Sequence, residues 1–141
     1  MDAGIKIDLN CDMGESFGRY ALGSDEQVMP WITSASIACG LHAGDPQVMA
    51  QTVRLASAHR VAVGTHPGYP DLQGFGRRVM DLTTEEAEAF VLYQVSALAG
   101  FCRAAKVEMV HVKPRGALYN QAAKDPALAA AVARSVAAYS R

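Results

Sequence analysis

The chain carries at residues 37–46 the stretch Ile37-Ala-Cys-Gly-Leu-His-Ala-Gly-Asp-Pro46. The apolar run leading into it ends at Gly40, and a turn then presents His42. Asp45 followed by Pro46 is typical of a helix N-cap and first turn. These residues therefore predict the end of a strand, a short polar loop and the start of a helix. In parallel α/β proteins such loops lie at the carboxyl ends of the strands, where ligands bind.

The same design occurs three more times along the chain. Each time, a short apolar or alternating run stops at a cluster of polar residues, as expected for a strand followed by a loop. The predicted strands are residues 5–9, 34–39, 61–65 and 108–112. The polar clusters that follow the first, third and fourth of them are residues 10–15, 64–68 and 113–116.

Helix signals lie between the predicted strands. Residues 24–27 and 83–86 resemble capping boxes, and Asp-Pro pairs at 45–46 and 125–126 open two further helices. We expect the first helix to end near Pro30, since a helix interior does not tolerate proline. Residues 87–105 place apolar side chains on one face, as in a long amphipathic helix, and a last helix reaches about Tyr139.

Alternating strands and helices predict an α/β fold with a parallel sheet and right-handed crossovers. The 141 residues are expected to form a single (β/α) domain over residues 1–141. Four units make about half of a (β/α) barrel, which typically needs about 250 residues. The residues leave three arrangements open: an open four-stranded sheet, a half barrel that needs a partner such as a second copy of the chain, or a truncated barrel.

Composition narrows the class of function. The net charge of −1 gives no electrostatic reason to expect nucleic acid or an anionic membrane surface. No apolar run approaches the roughly 20 residues of a membrane span, and the N-terminal residues do not resemble a signal peptide. The three cysteines fit reduced thiols, so we expect a cytoplasmic protein. We find no P-loop and no GxGxxG after a strand.

Four polar residues at the strand ends are candidates for chemistry. Asp12 could bind a metal ion or act as a general base, although a single loop aspartate often only satisfies backbone groups in a turn. His42 and His66, together with Asp12, could form a facial metal site, although a lone histidine is more often structural. Lys113 could hold an anionic group or a developing oxyanion, or could instead form a salt bridge with Asp12.

The segment Pro67–Asp81 is rich in glycine and proline and is long for a connection within a domain. Its aromatic residues and the arginine pair Arg77–Arg78 favour a lid or substrate loop. The two arginines could clamp an anionic group, or could be a solvated charge pair. Tyr119 and Asn120 fit helix packing and capping as readily as substrate contact.

Five motifs together closely resemble the LamB/YcsF family, the A subunits of bacterial 5-oxoprolinase. The resemblance covers nearly the whole chain, in order. The motifs are Asp8-Leu-Asn-Cys-Asp-Met-Gly-Glu-Ser16, residues 37–46 quoted above, Gly64-Thr-His-Pro-Gly-Tyr-Pro-Asp71, Gly74-Phe-Gly-Arg-Arg78 and His111-Val-Lys-Pro-Arg-Gly-Ala-Leu-Tyr-Asn120.

The resemblance implies an incomplete TIM-like barrel of the glycoside hydrolase/deacetylase type. It also implies ATP-dependent hydrolysis of 5-oxo-L-proline to L-glutamate with B and C partner subunits. Residues expected to be catalytic are Asp12, His42, His66 and Lys113. Residues expected to contact the substrate are Asn10, Glu15, Asp45, Arg77 and Tyr119. The distant likeness to deacetylases suggests a divalent metal ion on Asp12, His42 and His66.

The chain departs from the family pattern in length, because it resembles only the N-terminal part, and at four positions. The family usually has Asn at Ser36, Phe at Leu41, Gly at Arg60 and His at Arg115. Arg115 matters most, since it replaces a group that exchanges protons near pH 7 with a permanently charged one. Two other functions therefore stay open: a metal-dependent small-amide hydrolase that needs no ATP, and an inactive subunit that only binds partners.

Overall fold

The computed structural model describes residues 4–140, and its four strands lie parallel in one sheet in their sequence order. This arrangement confirms the expected α/β class. The strands are β1 (Asn10–Met13), β2 (Ser34–Ala38), β3 (Ala62–His66) and β4 (Met109–Val112). The helices are α1 (Asp25–Val28), α2 (Pro46–His59), α3 (Thr84–Ala104), α4 (Gly116–Ala122) and α5 (Pro126–Tyr139). Barrel closure stays a prediction, because residues 4–140 form an open sheet with β1 and β4 at its edges.

The prediction of the first strand at residues 5–9 is wrong, because the strand is Asn10–Met13. Alternation of Ile5, Ile7 and Leu9 looked like a half-buried strand. In the structure, Ile5 and Ile7 are 96% and 81% exposed. The pairing partner decides the position of the strand: Asn10 lies opposite Ser34, and Met13 lies opposite Ile37.

The capping box expected at residues 24–27 is also absent from the described part of the chain. Ser24 makes no side-chain cap there, and α1 is a single turn that continues into a 3-10 turn containing Pro30. The neighbouring Asp25 instead accepts a hydrogen bond from the Gly14 amide, at 2.8 Å. A contact to the loop after β1 therefore replaces the local cap.

Local signals placed the longer helices correctly. Asp45 caps α2 by accepting a hydrogen bond from the Val48 amide, at 2.9 Å, with Pro46 in the first turn. Thr83 and Glu86 form the expected reciprocal capping box at the start of α3. Asp125 caps α5, which ends at Tyr139 as predicted.

The two faces of the sheet differ in chemistry. One face packs against α2 and α3 in an apolar core, whose central members are Ala35, Ile37, Met49, Val53, Val63, Leu98 and Cys102. Because side chains alternate along a strand, the intervening residues of β2 point to the opposite face. There, Ser36 lies 3.1 Å from both the Asn10 Oδ1 and the His111 Nε2 atoms. The His111 ring lies directly over Gly64, where a Cβ atom would be 2.1 Å from Nε2.

The segment Pro67–Asp81 has an ordered path over the carboxyl end of the sheet. Gln94 of α3 is fully buried and binds both the amide nitrogen and the carbonyl oxygen of Gly68, each at 2.9 Å. Tyr69 is buried, and the Asp71 carboxylate pairs with Arg78 within the loop. The loop is therefore built to present its tip, Phe75 and Gly76, to the strand ends.

Within residues 4–140, no helix has both the length and the apolar character needed to cross a membrane.

Candidate active site

Asp12, on β1, is the centre of a charged cluster at the carboxyl ends of the strands. Its Oδ1 atom lies 2.5 Å from Lys113 Nζ, and its Oδ2 atom lies 3.1 Å from Arg115 Nη1 and 3.2 Å from His66 Nε2. Burial is the largest single influence on the carboxyl and opposes its ionisation. The close contacts with His66 and Lys113 together outweigh burial and hold the pKa of Asp12 well below its usual range. Asp12 is therefore an ionised carboxylate at neutral pH.

The His66 ring is oriented by the backbone of the next strand. Its Nδ1 atom lies 2.6 Å from the carbonyl oxygen of Lys113. Because a carbonyl oxygen can only accept, Nδ1 must carry a proton and donate it. The Nε2 atom faces the Oδ2 atom of Asp12, at 3.2 Å. The contact at Nδ1 fixes the ring so that Nε2 is the atom available to bind a metal ion.

His42 is the most enclosed group of the site, with none of its surface exposed. Neither ring nitrogen has a hydrogen-bond partner among the described residues. Burial, followed by the electrostatic effects of His66 and Arg115, lowers the pKa of His42 to about 3, so the ring is neutral. Two glycines make room for it: a Cβ at Gly68 would lie 2.7 Å from Nδ1, and one at Gly76 would lie 2.9 Å from the Cβ of His42.

Glu15 joins the two histidines in a group that could hold a metal ion. One ligand atom from each of Glu15, His42 and His66 lies within 4.8 Å of the others. The Oε1 atom of Glu15 is buried and has no hydrogen-bond partner within residues 4–140, and burial raises the pKa of this carboxyl. Two imidazole nitrogens and one carboxylate are a donor set used for Zn²⁺ and similar ions. The chemistry of this group is therefore compatible with a divalent metal ion.

The expected metal set contained Asp12, and the structure groups Glu15 with the histidines instead. The oxygens of Asp12 are directed to Lys113, Arg115 and His66. The salt-bridge interpretation of Lys113 is thus present in the structure. Asp12 in β1 and Glu15 in the loop after it are only three residues apart, so the sequence could not indicate which carboxylate would turn toward the histidines.

Arg115 lies between the site and the loop Pro67–Asp81, and it contacts Glu15 on one side and Phe75 of the loop on the other. Its side chain is 8% exposed, and its Nη1 atom lies 3.3 Å from the Oε1 atom of Glu15. Its Nε atom donates to the carbonyl oxygen of Phe75, at 3.3 Å, and its guanidinium lies 4.3 Å from the centre of the Phe75 ring. The role of Phe75 as a wall of the site was missed from the sequence, where only the Gly-Phe-Gly pattern could have indicated a closely packed loop tip.

A pocket of about 300 Å³ opens beside this cluster. It is lined by the expected residues Asp12, His66, Lys113 and Tyr119, and also by Pro114, Arg115, Gly116 and Asn120. The Lys113 side chain is 43% exposed and Tyr119 is 57% exposed, so both can reach a small molecule in the pocket.

The remaining expected substrate contacts fall in different places. Asn10 lies beside Lys113, with its Oδ1 atom 3.4 Å from Lys113 Nζ, and does not line the pocket. Arg77 is exposed and lies 5.7 Å from the centre of the Phe75 ring, at the rim of the loop tip. Asp45 stays a prediction as a substrate contact: its two oxygens accept hydrogen bonds from the Val48 and Gly18 amides, and it caps α2.

The chain matches known proteins over most of its length. The model of the LamB/YcsF family matches residues 7–141. Proteins named as the A subunit of 5-oxoprolinase are 65% identical over 136 residues in Symbiobacterium thermophilum and 63% identical over 131 residues in Tolumonas auensis. These matches cover 96% and 93% of this chain but 52% of each relative.

A solved structure is similar over the same region. It is the crystal structure of a lactam utilization protein from Thermus thermophilus, with a TM-score of 0.95 and 52% sequence identity. The match covers 96% of this chain and 55% of that one. The chain thus spans about half the length of the relatives it matches, and it belongs to the LamB/YcsF family.

Proposed function

We propose that this chain contributes to a 5-oxoprolinase, which hydrolyses 5-oxo-L-proline to L-glutamate with ATP, together with B and C subunits. The observation that carries the proposal is the Asp12–Lys113 cluster beside a small pocket, in a chain 65% identical to a protein named as the A subunit of 5-oxoprolinase. The name of these relatives indicates further subunits, and the ATP requirement rests on the family resemblance. We place the reaction in the cytoplasm, where ATP is available.

The charges of the pocket suit 5-oxo-L-proline, which carries a carboxylate and a lactam oxygen. Lys113 is the more accessible of the two cations, with 43% of its side chain exposed, against 8% for Arg115. In this proposal, Lys113 neutralises the lactam oxygen as it becomes negative or is phosphorylated. Asn10 and Tyr119 lie close enough to Lys113 and the pocket to orient the substrate.

In this proposal Glu15, and not Asp12, is the base that activates the attacking water. Hydrogen bonds hold the pKa of Asp12 well below its usual range, which makes it a weak base, whereas burial raises the pKa of Glu15. We therefore revise the expected role of Asp12: it positions Lys113 and His66. A divalent ion, when held by Glu15, His42 and His66, would supply a Lewis acid that polarises an oxygen.

The test is glutamate release from 5-oxo-L-proline and ATP, with this chain purified and combined with the B and C subunits. A full-length A subunit serves as the positive control. We expect Lys113→Ala to lower the rate by about 100-fold, the size of effect seen when an oxyanion contact is removed. The matched control is Lys124→Ala, which removes an exposed lysine outside the pocket and should leave the rate unchanged.

Two results would contradict the proposal. Full activity of Lys113→Ala would remove the assigned role of that lysine. No release by this chain, alongside an active full-length A subunit, would mean that this half does not suffice or that Arg115 blocks catalysis. Binding to the B and C subunits without activity would then identify the chain as a binding component only.

A second candidate function is hydrolysis of a small amide by a bound metal ion, without ATP. The observation in its favour is the group Glu15, His42 and His66, whose ligand atoms lie within 4.8 Å of one another. Activity that needs no ATP, stops in chelator and returns with added Zn²⁺ would support this function. Glutamate release that is unchanged in chelator would exclude it.

A further inference from the structure

We propose that Arg115 is a built-in cation that competes with a divalent metal ion for Glu15, so that the Glu15–His42–His66 site binds metal weakly while Arg115 is in place. The proposal does not depend on the reaction proposed above, because it concerns the affinity of the folded chain for metal.

The donor atoms of the site lack partners that a metal ion would supply. His42 is fully buried, and neither of its ring nitrogens has a hydrogen-bond partner among the described residues. His66 Nε2 and Glu15 Oε1 are likewise buried without a hydrogen bond in that part of the chain, and their charged neighbours are Asp12 Oδ2 at 3.2 Å and Arg115 Nη1 at 3.3 Å. Buried polar atoms in native proteins are nearly always satisfied, so a cluster of exceptions points to a missing ligand. The enclosed His42 in particular has no other evident polar function.

Arg115 places a positive charge against this donor set. Its Nη1 atom lies 3.3 Å from Glu15 Oε1 and 3.1 Å from Asp12 Oδ2. An arginine cannot lose its proton at any pH that a folded protein meets, so this charge is permanent. Asp12, which could offset a metal charge, is already paired with both Arg115 and Lys113. A divalent ion bound to Glu15 Oε1 would therefore lie close to the positive charge of Arg115, with Asp12 already neutralised by its two cations.

The loop Pro67–Asp81 holds the guanidinium in this position. The Nε atom donates to the carbonyl oxygen of Phe75, and the Cζ atom of the guanidinium is 4.3 Å from the Phe75 ring centre. A Cβ atom at Gly76 would lie 3.0 Å from the Cγ of Arg115, so the loop packs closely against the stem of the side chain. The arginine therefore cannot leave Glu15 without moving the loop tip, and the competition is built into the fold.

The experiment is a calorimetric titration of the purified chain with Zn²⁺, repeated with Co²⁺, whose visible spectrum reports its ligands. Arg115→Gln keeps the polarity and much of the length of the side chain but removes the charge. Arg115→His also removes the permanent charge and adds a nitrogen donor. We expect both variants to bind Zn²⁺ at least about tenfold more tightly than the unmodified chain. Thermal melting checks that each variant is folded.

Two further variants make the result specific. Arg54→Ala removes the same charge from an exposed position on α2 and should change the affinity less than twofold. Adding His42→Ala to Arg115→Gln should abolish the gain, because it removes one of the donors. Should Arg115→Gln fail to fold, Arg115→His and the unmodified chain still provide the comparison.

Three outcomes would overturn the proposal. The unmodified chain could bind Zn²⁺ as tightly as the Arg115 variants, or no variant could bind it. The gain could also survive His42→Ala, which would place the metal elsewhere. Each readout is a binding constant, so a failure here leaves the test of 5-oxoprolinase activity unaffected.

Discussion

The Oδ1 atom of Asp12 lies 2.5 Å from the Nζ atom of Lys113, although 101 residues separate them in the sequence. Asp12 is on β1 and Lys113 directly follows β4, the two edges of the sheet. Three strand spacings would set these edges about 14 Å apart in a flat sheet. The contact therefore indicates that the sheet curves toward its polar face, and the curvature brings the charged groups of both edges into one site.

Removing the charge of Asp12 should destabilise the fold at neutral pH. Asp12→Asn leaves Lys113 and Arg115 without their shared anion, and its side chain is 28% exposed. We expect a loss of about 2 kcal/mol in the free energy of unfolding at pH 7, below the range for fully buried pairs because of this exposure. Urea unfolding at several pH values measures it.

The pH dependence has a defined sign. The pKa of Asp12 is lower in the folded chain than in the unfolded chain. Its contribution to the free energy of unfolding is therefore fully present above the unfolded-state pKa of about 3.9 and is lost as the pH falls through the folded-state pKa. The difference in the free energy of unfolding between the unmodified chain and Asp12→Asn should therefore become smaller below about pH 4. Asp81→Asn, at an exposed position, is the control, and its free energy of unfolding should stay close to that of the unmodified chain at every pH. A gap for Asp12→Asn that widens in acid would contradict the assignment.

Gly64 is required by the space that the His111 ring occupies. A Cβ atom there would lie 2.1 Å from His111 Nε2, so Gly64→Ala must displace the ring from Ser36. We expect a loss of about 1–3 kcal/mol, as for other overpacked sites, measured by urea unfolding.

Two variants test the cause of that loss. Gly100→Ala, in α3, meets no atom within 4 Å and should stabilise the chain by up to about 1 kcal/mol through helix propensity. His111→Ala combined with Gly64→Ala should recover much of the lost stability, because the clash disappears. No recovery would mean that the ring is not the obstacle.

Arg60 holds a conformation that suits glycine. It ends α2 in the left-handed region, with φ 59° and ψ 32°. For a residue other than glycine this conformation is unfavourable by about 1 kcal/mol of conformational free energy. Arg60→Gly should therefore raise the stability by about 0.5–1 kcal/mol and raise the melting temperature. Arg54→Gly, inside α2, should have the opposite effect, since glycine disfavours a helix interior. Equal effects of the two variants would refute the role of backbone conformation.

Asp45 is expected to stabilise the fold as the N-cap of α2. Its oxygens accept hydrogen bonds from the Val48 and Gly18 amides, at 2.9 and 2.8 Å. Asp45→Ala should cost about 1–2 kcal/mol, whereas Asp45→Asn keeps one acceptor and should cost less than about half of that. Thermal and urea unfolding of both variants compare the two costs. Equal losses would show that charge, and not the cap geometry, is the important property.

Some features of this protein could be read from its sequence because they depend on close neighbours along the chain. The caps at Asp45, Thr83 and Asp125 involve residues two or three positions away, and the start of each of these helices was predicted correctly. Strand and helix alternation also indicated that the polar clusters would meet at one edge, since parallel strands share their carboxyl ends.

Other features were decided only by tertiary structure. The first strand lies at Asn10–Met13 because its hydrogen-bonding partner is Ser34–Ala38, and no pattern within residues 5–13 indicates that register. The choice of Glu15 over Asp12 beside the histidines depends on Lys113 and Arg115, which lie about 100 residues away and draw Asp12 to themselves. The sequence alone therefore determined which polar residues gather at the strand ends. Contacts across the curved sheet determined which atoms face each other, because side-chain orientation depends on charges and packing that are distant in the sequence.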